Sequence, residues 1–362
     1  MELGCLVKKT DWKGHPLIVI ETIPSLPVVE EEVTETLTTS ENFPYEMESF
    51  HRCWWAHLAC QFDIPVKGQD LLIHRKKLAK GLIQLREARV TGWNSAWDQV
   101  LSNDRLEELK RTSNWDYFKI TLSENNHSPV LVDQLRATRY KVLELPAPCQ
   151  YSVDLGQGID GYLKGLSHNS RKSLKKKTRR GQELQPKLED VVRAEDIDAF
   201  FEELFGHHIQ YWDGKVGSSY FNKPAERQFI VNWAKALYQD GQLVLDRLLM
   251  NQETVNLSMG IQTGQSFYWL LTVNTGLYLD YAPGIIGLYL RLEQCAKQGI
   301  TLFHMGPGDY FYKIQSANRT TTCVDLVVIN PNSLKGRLYY HWLRWNQEKA
   351  SKAPKPDLVK PS

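Results

Sequence analysis

The sequence lacks most of the patterns that announce a function outright. It holds no GxxxxGKS/T, so no P-loop is available. No CxxC occurs, and the cysteines (Cys5, Cys53, Cys60, Cys149, Cys295 and Cys323) are scattered along the chain. That spacing points away from a zinc site or a disulfide framework and toward reduced thiols, and no metal is expected. No apolar run approaches the roughly 20 residues that cross a bilayer. Met1 to Lys9 lacks the charged-then-apolar order of a signal peptide, so cytoplasm is the expected compartment. An excess of one charge is missing too. With 44 Lys and Arg against 42 Asp and Glu, the net charge of +2 names no nucleic-acid or membrane partner, and only a local cluster can. Short-period repeats and long heptad stretches are also absent.

What remains is the material of an ordinary globular chain. Its 362 residues suggest about two domains. Eleven Trp and sixteen Tyr call for aromatic-lined cores or surfaces. Residues 1–40 read as an N-terminal segment with a strand at Pro16–Ile20 and an exposed linker from Thr22 to Ser40, rich in Pro, Glu and Thr. Residues 41–148 read as a first α/β unit. It has helices over Tyr45–Phe62, Trp97–Lys110 and Val130–Thr138, and strands at Asp70–His74, Leu78–Leu85, Tyr117–Leu122 and Lys141–Leu145. Pro146 and Pro148 punctuate the chain there and suggest a domain boundary.

Residues 149–348 read as a second unit. A strand at Tyr151–Leu155 precedes a basic helix over Gly161–Arg180, then helices over Glu195–Tyr211 and Phe229–Tyr238. Strands at Gln242–Met250, Thr254–Gln262 and Ser266–Val273, separated by tight turns, form an antiparallel meander. A strand at Thr322–Ile329 and a helix over Leu334–Trp345 follow, and Lys349–Ser362 reads as a solvated tail. The centre of this unit is Leu279–Gly287. Asp280 suits a helix cap and Pro283 a first helical turn, and the apolar positions Ile285, Leu288, Leu292 and Cys295 keep a helical period until Gly299. A strand over Ile300–Met305 then leads into Gly306–Lys313. Strand, loop, helix, strand is an order in which free N–H groups at the helix start can hold an anion such as a phosphate, although many such helices bind nothing.

Four stretches in this order resemble the GNAT acyltransferase fold. More narrowly they resemble the CelD-like acetyltransferase family, which is related to the FemABX peptidyl transferases. They are Tyr162–Lys176, His208–Trp212, Tyr281–Gly284 and Gly306–Lys313. The resemblance covers about 162–313. It implies an α/β (α+β) protein of two GNAT-like units, each a mixed, mainly antiparallel sheet flanked by helices. It also implies direct N-acyl transfer from acetyl-CoA or another acyl-CoA to a polar amine, on a saccharide or a cell-envelope compound. The Q/R-x-x-G-x-G/A signature of many GNAT enzymes is absent, and FemABX relatives use aminoacyl-tRNA on a similar scaffold, so the alternatives are an aminoacyl-tRNA-dependent transferase of the FemABX type, with tRNA as partner, and a non-catalytic scaffold that keeps the GNAT fold and binds a partner.

Acyl transfer to an amine needs a proton acceptor, donors for the carbonyl oxygen and an exit for the thiolate. The resemblance places the donor arm along Thr272, Val273 and Asn274, and the pyrophosphate against the amides of Gly284, Ile285 and Ile286. Asp309 and Lys313, just past a strand end, suit orientation or deprotonation of the acceptor, and equally suit a surface ion pair. His208 is a candidate base by its ordinary pKa, or the partly exposed end of a helix. Tyr312 or Tyr310 can protonate the thiolate, or serve as core or rim aromatics. Cys295, on the apolar face of its helix, reads as packed. Ser170–Arg180 carries seven basic residues in eleven, a surface for phosphates, an anionic polymer or RNA, or a solvated helix face without the interleaved aromatics of single-strand binders.

Overall fold

The computed structural model of the chain describes residues 5–10, 16–21, 44–59, 62, 71–78, 83–90, 103–112, 114–213 and 218–352. Two compact units result, Met1–Glu41 and Asn42–Ser362. In the first, β1 (Cys5–Thr10) pairs antiparallel with β2 (Pro16–Glu21), from Cys5 opposite Glu21 to Thr10 opposite Pro16. The linker expected over Thr22–Ser40 and most of the tail expected over Lys349–Ser362 lie outside the described residues.

The second unit runs α1 (Glu48–His57), β3 (Leu71–Leu78), β4 (Ile83–Val90), α2 (Asn103–Arg111), β5 (Tyr117–Ser123), α3 (Pro129–Ala137) and β6 (Lys141–Asp154). It continues with α4 (Gly158–Gly165), α5 (His168–Gly181), β7 (Lys187–Asp190), α6 (Asp196–Trp212), α7 (Pro224–Gln239), β8 (Leu243–Met250), β9 (Glu253–Thr263) and β10 (Ser266–Asn274). Last come α8 (Pro283–Lys297), β11 (Leu302–Pro307), α9 (Phe311–Ser316), β12 (Arg319–Ile329) and α10 (Leu334–Lys352). One ten-stranded sheet holds them, in the order β3-β4-β5-β12-β6-β11-β10-β9-β8-β7. Every neighbouring pair is antiparallel except β4–β5 and β10–β11. The fold is the expected mixed, mainly antiparallel sheet flanked by helices, in an arrangement consistent with two GNAT-like units.

The pairing pattern repeats across the sheet. An antiparallel pair (β3–β4) leads to a short parallel pair (β4–β5), and an antiparallel pair (β9–β10) leads to a second one (β10–β11). Each parallel pair keeps register over three positions only, Glu87–Arg89 against Tyr117–Lys119 and Ser266–Tyr268 against Leu302–His304. The last strand of each half is exchanged. β6 follows β5 in sequence yet pairs with β11, and β12 follows β11 yet pairs with β5. The two exchanged strands pair with one another at the middle of the sheet.

Side-chain periodicity explains the layers. On α6 the buried residues Ile197, Phe200, Phe201, Leu204, Phe205 and His208 recur at helical spacing. They share a core with Trp54, Phe229, Trp233, Leu257, Met259, Ile261, Leu271 and Val273. The other face of β10 and β11 is covered by α4, α5 and α8, through Tyr162, Leu166, Leu174, Leu288, Leu292 and Cys295 against Phe267, Trp269 and Phe303. β9 is buried along most of its length because both its faces are covered.

Several sequence expectations shift. The strand expected at Leu78–Leu85 spans the end of β3 and the start of β4, with 79–82 outside the described residues. The helix expected over Trp97–Lys110 is described over Asn103–Arg111. Pro146 and Pro148 lie within the single strand β6, where Pro146 stands opposite Val324 next to a register shift. A proline is tolerated where the ladder does not call on its missing N–H. The basic helix expected over Gly161–Arg180 is two helices, because Leu166 is extended and the Ser167 hydroxyl caps α5 by accepting from the Ser170 N–H at 3.1 Å.

Candidate functional site

The site grows from an irregularity in β10. Phe267 and Trp269 face the α8 layer, whereas Tyr268, Leu271 and Val273 face the α6 layer. A strict alternation would put Leu271 with Trp269. The register with β9 slips between Trp269 and Leu271, and this bulge turns Thr272 and Asn274 to the side Trp269 already occupies. Beyond Tyr268 the strand also parts from β11, so the backbone of 269–274 has no strand partner on that side. Beside this unpaired part of β10 lies a pocket of about 240 Å³. It is lined by Asn256, Trp269, Thr272, Val273, Asn274 and Tyr312 on the sheet side, and by Leu279, Ala282, Pro283, Gly284 and Ile285 at the start of α8.

Buried Asn256 organises the sheet side. Its Nδ2 donates to the Thr272 hydroxyl (3.1 Å), the Val273 carbonyl (3.0 Å) and Asn274 Oδ1 (2.9 Å). The α8 side is set by Ala282, a left-handed residue (φ 57°) directly before Pro283. A non-glycine residue there stores about 1–3 kcal/mol of strain, held by its surroundings. Asp280 does not cap the helix. Its carbonyl instead accepts from Arg180 Nη1 at 3.2 Å, and the Arg180 guanidinium lies 4.4 Å over the Tyr281 ring. α5 reaches this position because Gly181 has no Cβ. One placed there would stand 2.3 Å from Ile286 Cδ1.

The expected cradle of three amides is reduced to one. The N–H groups of Ile285 and Ile286 both donate to the Ala282 carbonyl (3.0 and 3.2 Å), and Ile286 is buried against Leu248, Met250 and Val255. The Gly284 N–H alone of the three has no acceptor among the described residues. α8 is fixed from behind by Arg291, whose Nη2 donates to Asp190 and, at 2.8 Å, to Asp246 Oδ2, while the Ser258 hydroxyl donates to Asp246 Oδ1 at 2.8 Å. Arg291 and Asp246 are both almost fully buried. The small polar face of β9 (Asn256, Ser258, Gly260) serves this side of the sheet.

From Gly306 (φ 75°) near the end of β11 the chain turns through Gly308 (φ 107°) into α9. Tyr312 lies in the pocket, and burial with Tyr310 nearby raises its phenol pKa. Asp309 accepts from the Tyr151 hydroxyl at 2.9 Å. Lys313 does not pair with Asp309. Its buried ammonium donates to the Pro307 carbonyl at 2.6 Å and lies 5.3 Å from the Tyr310 ring centre. Burial moves it down to about 8, against the pull of Asp309. Tyr310, Phe311 and Ile314 are exposed beside it.

The pocket thus brings together Thr272, Val273, Asn274, Gly284, Ile285 and Tyr312. His208 does not line it. The ring is buried among Trp212, Tyr220 and Phe221, with Nδ1 2.9 Å from the Ser219 hydroxyl, and burial pushes its pKa down to about 4. A partly exposed helix end was the alternative, and the second half of α6's period explains why the residue is inside. Cys295 is buried, its thiol pushed up to about 12. Sequence reasoning missed Asn256, Trp269 and Tyr151. Only the run of small polar residues at alternate positions of β9 hinted at the first. Among the described residues no group of His, Cys, Asp or Glu could hold a metal ion, and no helix is long and apolar enough to cross a membrane.

No curated protein gave a match. Among solved structures the chain is similar to the crystal structure of FemX, at 12% identity over 82% of this chain and 93% of that one, with a TM-score of 0.50, a likeness of fold. It also aligns with L-PGS from Bacillus licheniformis (15% identity, 79% and 93% coverage, TM-score 0.47) and with a tandem GNAT protein from the clavulanic acid biosynthesis pathway (12%, 79% and 89%, TM-score 0.42). The family model for an acetyltransferase (GNAT) domain matches residues 168–314, the stretch from the start of α5 into α9 that carries the pocket, Asp309 and Lys313.

Proposed function

We propose that the chain is an N-acyltransferase that takes an acyl group from a thioester donor, acyl-CoA, and passes it directly to a polar amine. One observation carries this reading: within the GNAT-like domain the pocket beside the part of β10 that β11 leaves unpaired ends at the start of α8, where the Gly284 amide has no acceptor among the described residues. A helix N-terminus with a free N–H favours negative charge, and Arg180 sits at its rim. The donor's diphosphate takes this place, and its acyl arm lies along 269–274, whose unpaired backbone N–H groups donate to the carbonyl oxygen.

The reaction is a displacement. The amine nitrogen attacks the thioester carbon, the C–N bond forms, the C–S bond breaks, and the carbonyl oxygen holds charge between the two. The thiolate takes a proton from the Tyr312 hydroxyl, which lies in the pocket. The ammonium proton goes to neutral Lys313, whose low pKa leaves it part neutral near pH 8, while Asp309, held by Tyr151, orients the acceptor. The exposed ring of Tyr310 offers a face on which a saccharide acceptor can stack. The CelD-like resemblance of the four stretches supports an acceptor of this kind in the cytoplasm.

One observation favours a second reading. None of the seven cations of α5 forms an ion pair within 4 Å with an acid of the described residues, a surface that also suits an RNA-borne acyl donor. Titration calorimetry separates the two. Wild-type protein is expected to bind CoA, and Gly284→Leu, which fills the pocket beside Asn274, to abolish binding. Absence of CoA binding at millimolar concentration overturns the thioester reading. Tight, salt-dependent tRNA binding in its place supports the second.

A further inference from the structure

The helix α10 carries two apolar faces, and among the described residues only one of them is covered. Tyr339, Tyr340 and Leu343 pack toward Leu85, Tyr117, Leu143, Val327 and Ile329. Gly336 brings the helix so close that a Cβ would stand 2.3 Å from the Asp116 carbonyl oxygen. On the outer side Leu334, Leu338, Trp342 and Trp345 are exposed by 64, 64, 50 and 57%. Their spacing places them within an arc of about 80°, at 100° per residue, nearly opposite the packed face. Lys335 borders this stripe on one flank, its Nζ donating to the Gln84 carbonyl at 3.2 Å, and Arg337 and Arg344 border it on the other. Lys349 lies 5.2 Å over the Trp345 ring. Glu348 is the one acid of the helix, and it pairs with Arg344 at 3.3 Å.

A second copy of the same helix is a poor cover for this face. It would set Lys335, Arg337 and Arg344 against their own counterparts, the reverse of the opposite charges that flank a helix seam. The arrangement matches a surface that is apolar inside and negative at its border. Tryptophan settles at the headgroup level, and flanking Lys and Arg extend toward lipid phosphates.

We propose that the outer face of α10 docks the protein on an anionic lipid bilayer, with Leu334, Leu338, Trp342 and Trp345 immersed at the headgroup boundary and the flanking cations on lipid phosphates. The binding is peripheral, along the helix. It is independent of the transferase reading, since none of these residues lines the pocket.

The full chain is mixed with vesicles of phosphatidylcholine alone or with 30% phosphatidylglycerol, and sedimented. Co-sedimentation with the anionic vesicles is expected, weakening about fivefold for each cation removed in Arg337→Gln and Lys349→Gln. The Trp342→Ser/Trp345→Ser variant is expected to lose at least tenfold in partitioning while keeping the wild-type melting temperature, because both side chains are half exposed. Brominated lipid is expected to quench the wild-type tryptophan fluorescence and to quench the variant less. Failure of the wild type to bind anionic vesicles overturns the proposal. So does equal binding by the double variant, or a wild-type dimer that the double variant dissociates, which would assign the face to self-association.

Discussion

Lys313 offers the sharpest test of how the site is built. Its ammonium is buried, and its folded-state pKa stands at about 8 against an ordinary 10.5. At 1.36 kcal/mol per pH unit the charged form costs the folded protein about 3 kcal/mol. A methionine of similar length removes the charge and the hydrogen bond to the Pro307 carbonyl, a loss of about 1 kcal/mol. At pH 7 Lys313→Met is therefore expected to be more stable than wild type by about 2 kcal/mol. The sign then changes with pH. Because the folded pKa lies below the unfolded one, the unfolded chain binds more protons between 8 and 10.5, and wild-type stability rises with pH across that window. Between pH 7 and 9.5 the wild type should recover about 2 kcal/mol relative to the variant. Urea unfolding followed by tryptophan fluorescence, run on both proteins at both pH values, measures the double difference, in which tyrosine and cysteine titrations cancel. A difference that does not move with pH refutes the claim that Lys313 is buried and easily deprotonated, and with it the assignment of Lys313 as proton acceptor.

Other perturbations test the supports of the site. Arg291→Met leaves Asp246 buried without its cation and is expected to cost about 3–5 kcal/mol in urea unfolding, whereas Arg291→Met/Asp246→Leu should regain most of it. His208, neutral at pH 7 and lowered to about 4, makes the protein acid-sensitive: the unfolded chain takes up the proton first as pH falls below 6.5. His208→Gln should reduce the stability lost between pH 7.5 and 4.5 by about 2 kcal/mol, read from denaturation midpoints at the two pH values. Gly336→Ala drives a methyl into the Asp116 carbonyl and should cost about 2 kcal/mol or more, seen as a lowered melting temperature.

Strongly periodic elements were legible before any coordinates. α6, α7, α8 and the meander β8–β10 follow directly from apolar spacing, and Pro283 marks the α8 start correctly. The site was partly legible, since Thr272, Val273, Asn274, Gly284, Ile285 and Tyr312 meet in one pocket. What escaped depends on backbone detail that residue types do not specify. The bulge after Trp269 reverses the face of β10, and alternation alone would have turned Leu271 toward the pocket. The left-handed Ala282 gives its carbonyl two amide donors and removes Ile285 and Ile286 from the anion cradle. Lys313 turns to a backbone carbonyl and leaves Asp309 to Tyr151, a choice made by burial. Pro146 and Pro148 resemble a break, yet the exchanged strand β6 runs straight through them.

That exchange governs how the chain can be assembled and cut. Translation delivers β5 long before β12, so one edge of the N-terminal half stays open, a backbone ladder without a mate, until residues 319–329 leave the ribosome. Dividing the gene at residue 148 would cut β6 inside its own ladder to β12, which runs from Lys141 to Ser152, and would part residues 141–147 from the stretch 150–154 that also meets β11, leaving each fragment with a frayed seam in place of a border.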